Sequence, residues 1–271
     1  MKYKIGFASE SYEEAKKETV CPDQGKMVVP RKSVVQVWFA DRGMKLAYYN
    51  DRFDLKVGDL VYVDGKLEGL RGRVTEVNYN FKIKLSDYKQ VIAVADTEVH
   101  GEFFTAGSHF ITFDPAVLPK EKAVLWFKAP NNEEDEFVSG NDDAAFLLED
   151  LKQMKVSAAV AERGHEYYRY NKVRYICVDG SRGYAIVEGS EAYEVEFTYR
   201  GGEISNLTCS CFCAYPCKHE FAAMLQLKES FEKIEKNHAE QYAHPGYFAA
   251  IDKGSLFDIA IAGKDNGSIT L

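Results

Sequence analysis

Residues 163–227 decide the fold of the second half of the chain and read RGHEYYRYNKVRYICVDGSRGYAIVEGSEAYEVEFTYRGGEISNLTCSCFCAYPCKHEFAAMLQL. The first part of this stretch is rich in β-branched and aromatic residues, and the turns DGSR, GSEA and RGGE divide it into short runs. This pattern predicts antiparallel strands at residues 173–178, 183–188, 193–199 and 204–209. Apolar residues then recur at helical spacing, which predicts a helix from residue 219 to about residue 238.

Three cysteines and a histidine lie where the last predicted strand meets this helix. Cys209-x-Cys211 is followed, after five residues, by Cys217-x-His219. Thiolates and imidazole are the ligands that zinc prefers, and four of them close a tetrahedron with no open position. Alternate residues of a strand face the same side, so both thiolates of the first pair can reach one ion. The spacing therefore predicts one structural zinc ion that joins a strand end to a helix start.

The remaining cysteines leave one alternative for the ligand set. Cys213 forms a second C-x-C pair with Cys211. Cys209 is preferred because it ends the last strand and leaves residues 212–216 as a turn that reverses the chain. Cys213 is then a spare thiol or a neighbour of the site. Cys21 and Cys177 stand alone and are expected to be ordinary buried or half-buried thiols.

The same stretch resembles the SWIM zinc finger. The shared features are Arg163-Gly164 with paired tyrosines, the element Val-x-Gly-Ser-x-x-Tyr-x-Val at residues 187–195, C-x-C, and C-K-H followed by an Ala-Ala-x-Leu helix. The resemblance covers about 65 residues, roughly a quarter of the chain. It implies that Cys209, Cys211, Cys217 and His219 bind zinc, in a finger that binds DNA or protein.

The N-terminal part of the chain is predicted to be β-rich over residues 1–130. Gly, Asn and Asp residues separate β-branched and aromatic runs, which is typical of a small antiparallel barrel at about residues 30–94. Its strands are predicted at residues 34–40, 45–49, 60–64, 72–79 and 90–94. Further strands are predicted at residues 102–105, 109–114 and 123–128. Residues 56–77, KVGDLVYVDGKLEGLRGRVTEV, resemble two strands of an SH3-like barrel.

An acidic segment interrupts this pattern and predicts a linker with a helix over residues 131–157. The helix is expected at residues 145–155, after a cap at Asn141 or Asp142. The finger then spans residues 158–240, and a C-terminal extension, residues 241–271, ends in a hairpin at residues 256–271. The sequence thus predicts an α+β protein with a barrel-like antiparallel half, an acidic linker, and a hairpin-plus-helix zinc finger.

Charge is distributed unevenly along the chain, which carries a net −8. Residues 1–90 hold 17 Lys/Arg and 13 Asp/Glu, whereas residues 91–156 hold 5 and 13. A protein that binds nucleic acid over its whole surface is thereby excluded, because phosphate binding needs a concentrated basic field. In the barrel, a set of arginines either contacts a polyanion or lines a solvated face, namely Arg42, Arg52, Arg71 and Arg73.

The sequence also limits the functional classes. It contains no Gly-rich phosphate loop, no G-x-S-x-G and no H-E-x-x-H, so we expect no enzyme. It has no apolar run of about 18 residues and no signal peptide, so we expect a cytoplasmic protein without membrane contact. The favoured function is an adaptor or regulatory protein that binds another protein through the finger. The alternative is a DNA- or RNA-binding protein that uses the basic barrel together with the finger.

Overall fold

The computed structural model describes residues 30–130, 144–213 and 216–260, together with the backbone of residues 2–5. In these residues the chain forms two antiparallel sheets and five α-helices. The strands are β1 Lys2–Ile5, β2 Ser33–Phe39, β3 Met44–Asn50, β4 Leu60–Val63, β5 Arg71–Asn78, β6 Val91–Ala95, β7 Gly101–Ala106, β8 His109–Thr112, β9 Phe146–Leu147, β10 Val173–Asp179, β11 Arg182–Glu188, β12 Ala192–Arg200, β13 Glu203–Cys209 and β14 Tyr247–Asp252. The helices are α1 Lys120–Phe127, α2 Ala158–Arg169, α3 Lys218–Asn237, α4 Ala239–Ala243 and α5 Lys253–Ala260.

The smaller sheet has five strands in the order β3-β2-β5-β4-β6. Each strand lies within one residue of a strand predicted for the barrel. Apolar residues alternate along β2, so that Val35, Val37 and Phe39 are buried inside the curved sheet. The two outermost strands meet where Tyr49 pairs with Gln90, and the Tyr49 amide donates to Lys89 O at 2.8 Å. The sheet is therefore barrel-like.

The larger sheet has nine strands in the order β1-β7-β8-β14-β10-β11-β12-β13-β9. The strands predicted between residues 173 and 209 form its consecutive part, β10 to β13. Helix α3 packs on one face of this sheet, where Met224 and Leu227 join Ile176 in one core. Helices α1 and α5 pack on the opposite face, where Trp126 and Ile259 join a second core. The finger segment is thus the centre of a three-layer structure.

Strand pairing crosses the limits that the sequence predicted for the domains. Strands β7 and β8 precede the acidic segment, yet β8 pairs with β14 of the C-terminal extension. Strand β14 in turn pairs with β10 of the finger. The domain limits therefore stay a prediction, and the hydrogen-bonded unit is larger than the finger alone.

Two secondary-structure predictions were wrong. The strand predicted at residues 123–128 is instead the end of α1 and its C-cap residue Lys128, and Ala123 and Trp126, three residues apart in the helix, are both fully buried. A short apolar run does not distinguish a strand from a buried helix. Residues 145–155 are not a helix but form β9 and a 3-10 turn at Leu151–Met154. The helix starts later, because Ser157 caps α2 by accepting from the Val160 amide.

The predicted C-terminal hairpin is also corrected in its described part. Residues Lys253–Ala260 form α5, and Asp252 accepts from the Ser255 amide at 2.8 Å near the helix start. Residues 261–271, the acidic segment at 131–143, and Cys21 lie outside the described residues. Among the described residues, none of the helices is both long and apolar enough to cross a membrane.

Candidate metal centre

The structure brings Cys209, Cys211, Cys217 and His219 together at the predicted junction. One ligand atom from each residue lies within 4.8 Å of the others, so the group could hold a metal ion. Cys209 Sγ lies 3.8 Å from His219 Nδ1. Zinc bonds of about 2.3 Å to sulfur and about 2.0 Å to nitrogen place tetrahedral ligand atoms roughly 3.6 Å apart. The spacing and the donor atoms both fit a zinc ion.

The two ends of the site come from two different elements. Cys209 is the last residue of β13, where it pairs with Val195 of β12. Beyond it, the Ser210 amide donates to Glu194 O and the Glu194 amide donates to Ser210 Oγ, both at 2.9 Å. These bonds keep the chain beside β12 past the last strand residue and hold the first C-x-C pair in place.

Cys217 is the N-cap of α3, and its side chain belongs to a capping box. Cys217 Sγ accepts from the Glu220 amide at 3.4 Å, and Glu220 Oε2 accepts from the Cys217 amide at 2.6 Å. The partial positive charge of a helix N-terminus stabilises a thiolate at this position. Glu220 was not predicted from the sequence, because the capping-box signal is Ser or Thr followed by Glu three positions later, and here a cysteine takes the cap position.

Aromatic rings enclose the imidazole of His219. The Tyr193 ring stacks on it with centroids 4.2 Å apart, and the Tyr167 ring lies at 5.3 Å. His219 Nε2 is buried and has no hydrogen-bond partner among the described residues. The contact with the Cys209 sulfur is made by the other ring nitrogen, Nδ1, which is therefore the candidate ligand atom. This environment fits a side chain that binds a metal ion.

Two glycines of the SWIM-like pattern have a packing role around this histidine. A Cβ on Gly189 would lie 2.8 Å from Cε2 of Tyr193. A Cβ on Gly164 would lie 2.7 Å from Cδ1 of Phe221, two residues after His219. The missing side chains therefore allow Tyr193 to reach His219 and α2 to approach the start of α3. Both glycines belong to the sequence pattern, but their contacts could not be predicted from it.

The protonation of the site without a cation follows from its burial. Burial raises the pKa of Cys211 to about 12, and a side-chain hydrogen bond with Cys209 together with burial raises the pKa of Cys217 well above its usual range. Burial and the nearby charge of Lys218 lower the pKa of His219 to about 4, so its ring is neutral. A bound divalent cation would favour deprotonation of these buried thiols, because it stabilises the thiolate form.

The other described cysteines lie apart from this group. Cys213 is exposed and is not one of the four residues that converge, which favours Cys209 over Cys213 as the fourth ligand. Cys177 lies in β10, where burial raises its pKa to about 11 and leaves an unreactive thiol.

A scan against protein-family models and searches of curated proteins and of solved structures found no match.

Proposed function

We propose that Cys209, Cys211, Cys217 and His219 bind one structural zinc ion. Such an ion ties the end of β13 to the first turn of α3, two elements that no disulfide joins among the described residues. Four protein ligands leave no position for water or substrate, so the ion acts on stability and not on catalysis. When bound, zinc contributes folding free energy, of order 10 kcal/mol in small finger peptides.

The protein itself is proposed to be a non-catalytic adaptor or regulatory protein. The observation behind this proposal is the surface that the zinc site holds in place. Phe212 lies between the second and third ligands and is 93% exposed, and Tyr170, at the end of α2, is 71% exposed. Large aromatic side chains are the residues that most often anchor protein–protein contacts. A phenylalanine held in water beside a rigid site is therefore suited to insert into a partner protein.

The charge of the finger favours a protein over a nucleic acid at this surface. Residues 157–228 hold 8 Lys/Arg and 9 Asp/Glu, so they provide no excess of positive charge. Nucleic acid would require such an excess, since its affinity comes largely from phosphate neutralisation. The resemblance to the SWIM zinc finger, a family that binds DNA or protein, is compatible with this assignment.

Site-specific photocrosslinking in the native host tests this function. A photoreactive phenylalanine analogue at position 212 is expected to crosslink to a defined protein partner. The same analogue at Val57, which is 66% exposed in the loop between β3 and β4, serves as the control. Equal crosslinking patterns from both positions would contradict the proposal. Adducts at position 212 that nuclease digests would also contradict it, because these adducts would contain nucleic acid and not protein.

A further inference from the structure

Only part of the outer face of the small sheet packs against the rest of the protein. Leu60 and Ala95, on β4 and β6, pack into the core that contains Trp126 of α1. On the neighbouring strands, Trp38 pairs with Lys45 on one side and with Arg73 on the other. Residues directly opposite each other in a sheet share a face. A tryptophan with a cation on each side therefore lies on the uncovered part, where it is 42% exposed.

This uncovered face forms one wall of a cleft of about 760 Å³ between the two sheets. Trp38, Arg71 and Arg73 line it from the small sheet, Arg174 and the turn after β11 line it from the large sheet, and Lys128 lines it from the end of α1. Both arginines of the small sheet are anchored through backbone carbonyls. Arg71 donates to Trp126 O, and Arg73 donates to Gly58 O at 2.8 Å. These bonds orient the two guanidinium groups without cancelling their charge.

The small-sheet wall of the cleft carries Asp41 and Glu68 as well as Arg71 and Arg73. Burial and the charge of Arg71 lower the pKa of Arg73, which shows that one guanidinium adds to the positive potential at the other. Among the described residues, neither arginine forms an ion pair with a carboxylate. Glu188 and Glu191 line the large-sheet side, where Glu188 forms ion pairs with Lys172 and Arg174, so the cations without such a pair lie on the small-sheet side.

The charge of the whole sequence points to the same part of the molecule. Residues 31–95, which form the small sheet, hold 12 Lys/Arg and 8 Asp/Glu, a net of +4 in a chain of net −8. A ligand that approaches this protein as an anion is therefore attracted mainly to the small sheet.

We propose that this cleft binds a short segment of single-stranded nucleic acid. A base stacks on the exposed face of Trp38, and the flanking phosphates contact Arg73 in the cleft and Lys45, which lies beside the cleft as the cross-strand neighbour of Trp38. An aromatic platform with cations beside it is the arrangement used for single strands, because every base offers a π-face to stack on. A duplex keeps its bases stacked inside the helix and cannot use Trp38. This site is separate from the proposed protein-binding surface at Phe212 and does not depend on it.

The experiment uses the full zinc-loaded chain and a labelled oligothymidylate at low salt, about 20 mM. The chain has two tryptophans, and Trp126 is fully buried, so quenching of the accessible intrinsic fluorescence reports stacking on Trp38. Affinity is measured in parallel by anisotropy of the label. We expect salt-sensitive binding that quenches Trp38, with Trp38→Ala lowering the affinity about tenfold.

Matched charge variants complete the test. Lys45→Gln is expected to weaken binding severalfold, whereas Lys82→Gln, an exposed lysine in the loop between β5 and β6, leaves it unchanged. Thermal unfolding of each variant confirms that the fold is intact. The proposal is overturned if the parent does not bind at low salt, or if Trp38→Ala binds as tightly as the parent. Equal competition by polyglutamate and unlabelled strand would instead indicate an acidic protein segment as the ligand, and would also overturn it.

Discussion

The ring of Tyr193 stacks on the imidazole of His219, with centroids 4.2 Å apart and ring planes 17° apart. Tyr193 lies at the start of β12, whereas His219 lies in the first turn of α3. The stack therefore orients a proposed zinc ligand from a strand that contributes no ligand itself. Tyr193 also holds its position through a 2.8 Å hydrogen bond between its hydroxyl and Ser190 Oγ.

Removal of this ring should weaken zinc binding without abolishing it. Groups that orient metal ligands typically contribute about tenfold to a hundredfold in affinity. We expect Tyr193→Ala to lower the affinity by about tenfold in a competition assay with a chromogenic chelator. Tyr193→Phe keeps the ring and loses only the bond to Ser190, so it should bind zinc like the parent. If the alanine variant matches the parent, the stack has no role in orienting His219.

Metal content tests the ligand set directly. Purification without chelator should yield about one zinc ion per chain, because the four residues make a closed site. Cys213→Ser should retain the zinc, since Cys213 is exposed and lies outside the converging group. Cys209→Ser should lose most of it. Zinc loss in Cys213→Ser with retention in Cys209→Ser would move the fourth ligand to Cys213.

The sequence was sufficient to predict the strands and the converging residues around the site. Tight turns separate the four strands β10 to β13, so nearby residues determine where each strand ends. Gly180 and Gly201 adopt positive φ in these turns. The spacing of the cysteines and the histidine is similarly local. Both signals need no knowledge of distant parts of the chain.

The partners of these strands could not be predicted, because they come from distant segments. Nothing in the sequence of β8 shows that it pairs with β14, more than 130 residues later. Cross-strand partners are set by the packing of whole faces and not by short motifs. The contact between Tyr193 and His219 is of the same kind, since it forms only after β12 and α3 have packed.

Loss of zinc is expected to unfold the protein only locally. Strands β10 and β11 contribute Ile176 and Val187 to a large apolar core. Both side chains are fully buried by other apolar side chains and not by the metal site. In Cys209→Ser, limited proteolysis should therefore produce new cleavage between residues 209 and 219 and spare β10 and β11. Cys213→Ser serves as the control and should show the parent pattern. Unchanged protection of residues 209–219 in Cys209→Ser would show that the ion is not structural.

The capping box at the start of α3 should contribute to stability in its own right. The buried Glu220 carboxylate accepts the Cys217 amide, and its loss leaves that amide without this partner. Glu220→Ala is expected to cost about 1 to 2 kcal/mol, a decrease in the midpoint of thermal unfolding of several degrees. Glu220→Gln keeps an acceptor oxygen and should cost less. Equal midpoints for Glu220→Ala and the parent would contradict a stabilising capping box.

Gly189 gives the sharpest test of the link between the turn after β11 and the zinc site. A methyl group there would lie 2.8 Å from Cε2 of Tyr193 and 3.3 Å from the Tyr167 hydroxyl, so Gly189→Ala should displace the ring that stacks on His219. We expect zinc affinity to fall severalfold. In the double variant Gly189→Ala/Tyr193→Ala the clash with Tyr193 is absent, so the loss should be smaller than the sum of the two single losses. Gly180→Ala, at a turn where a methyl group meets nothing within 4 Å, should lower stability through its positive φ but leave zinc affinity unchanged. Additive losses in the double variant would show that Gly189 acts on the site by another route.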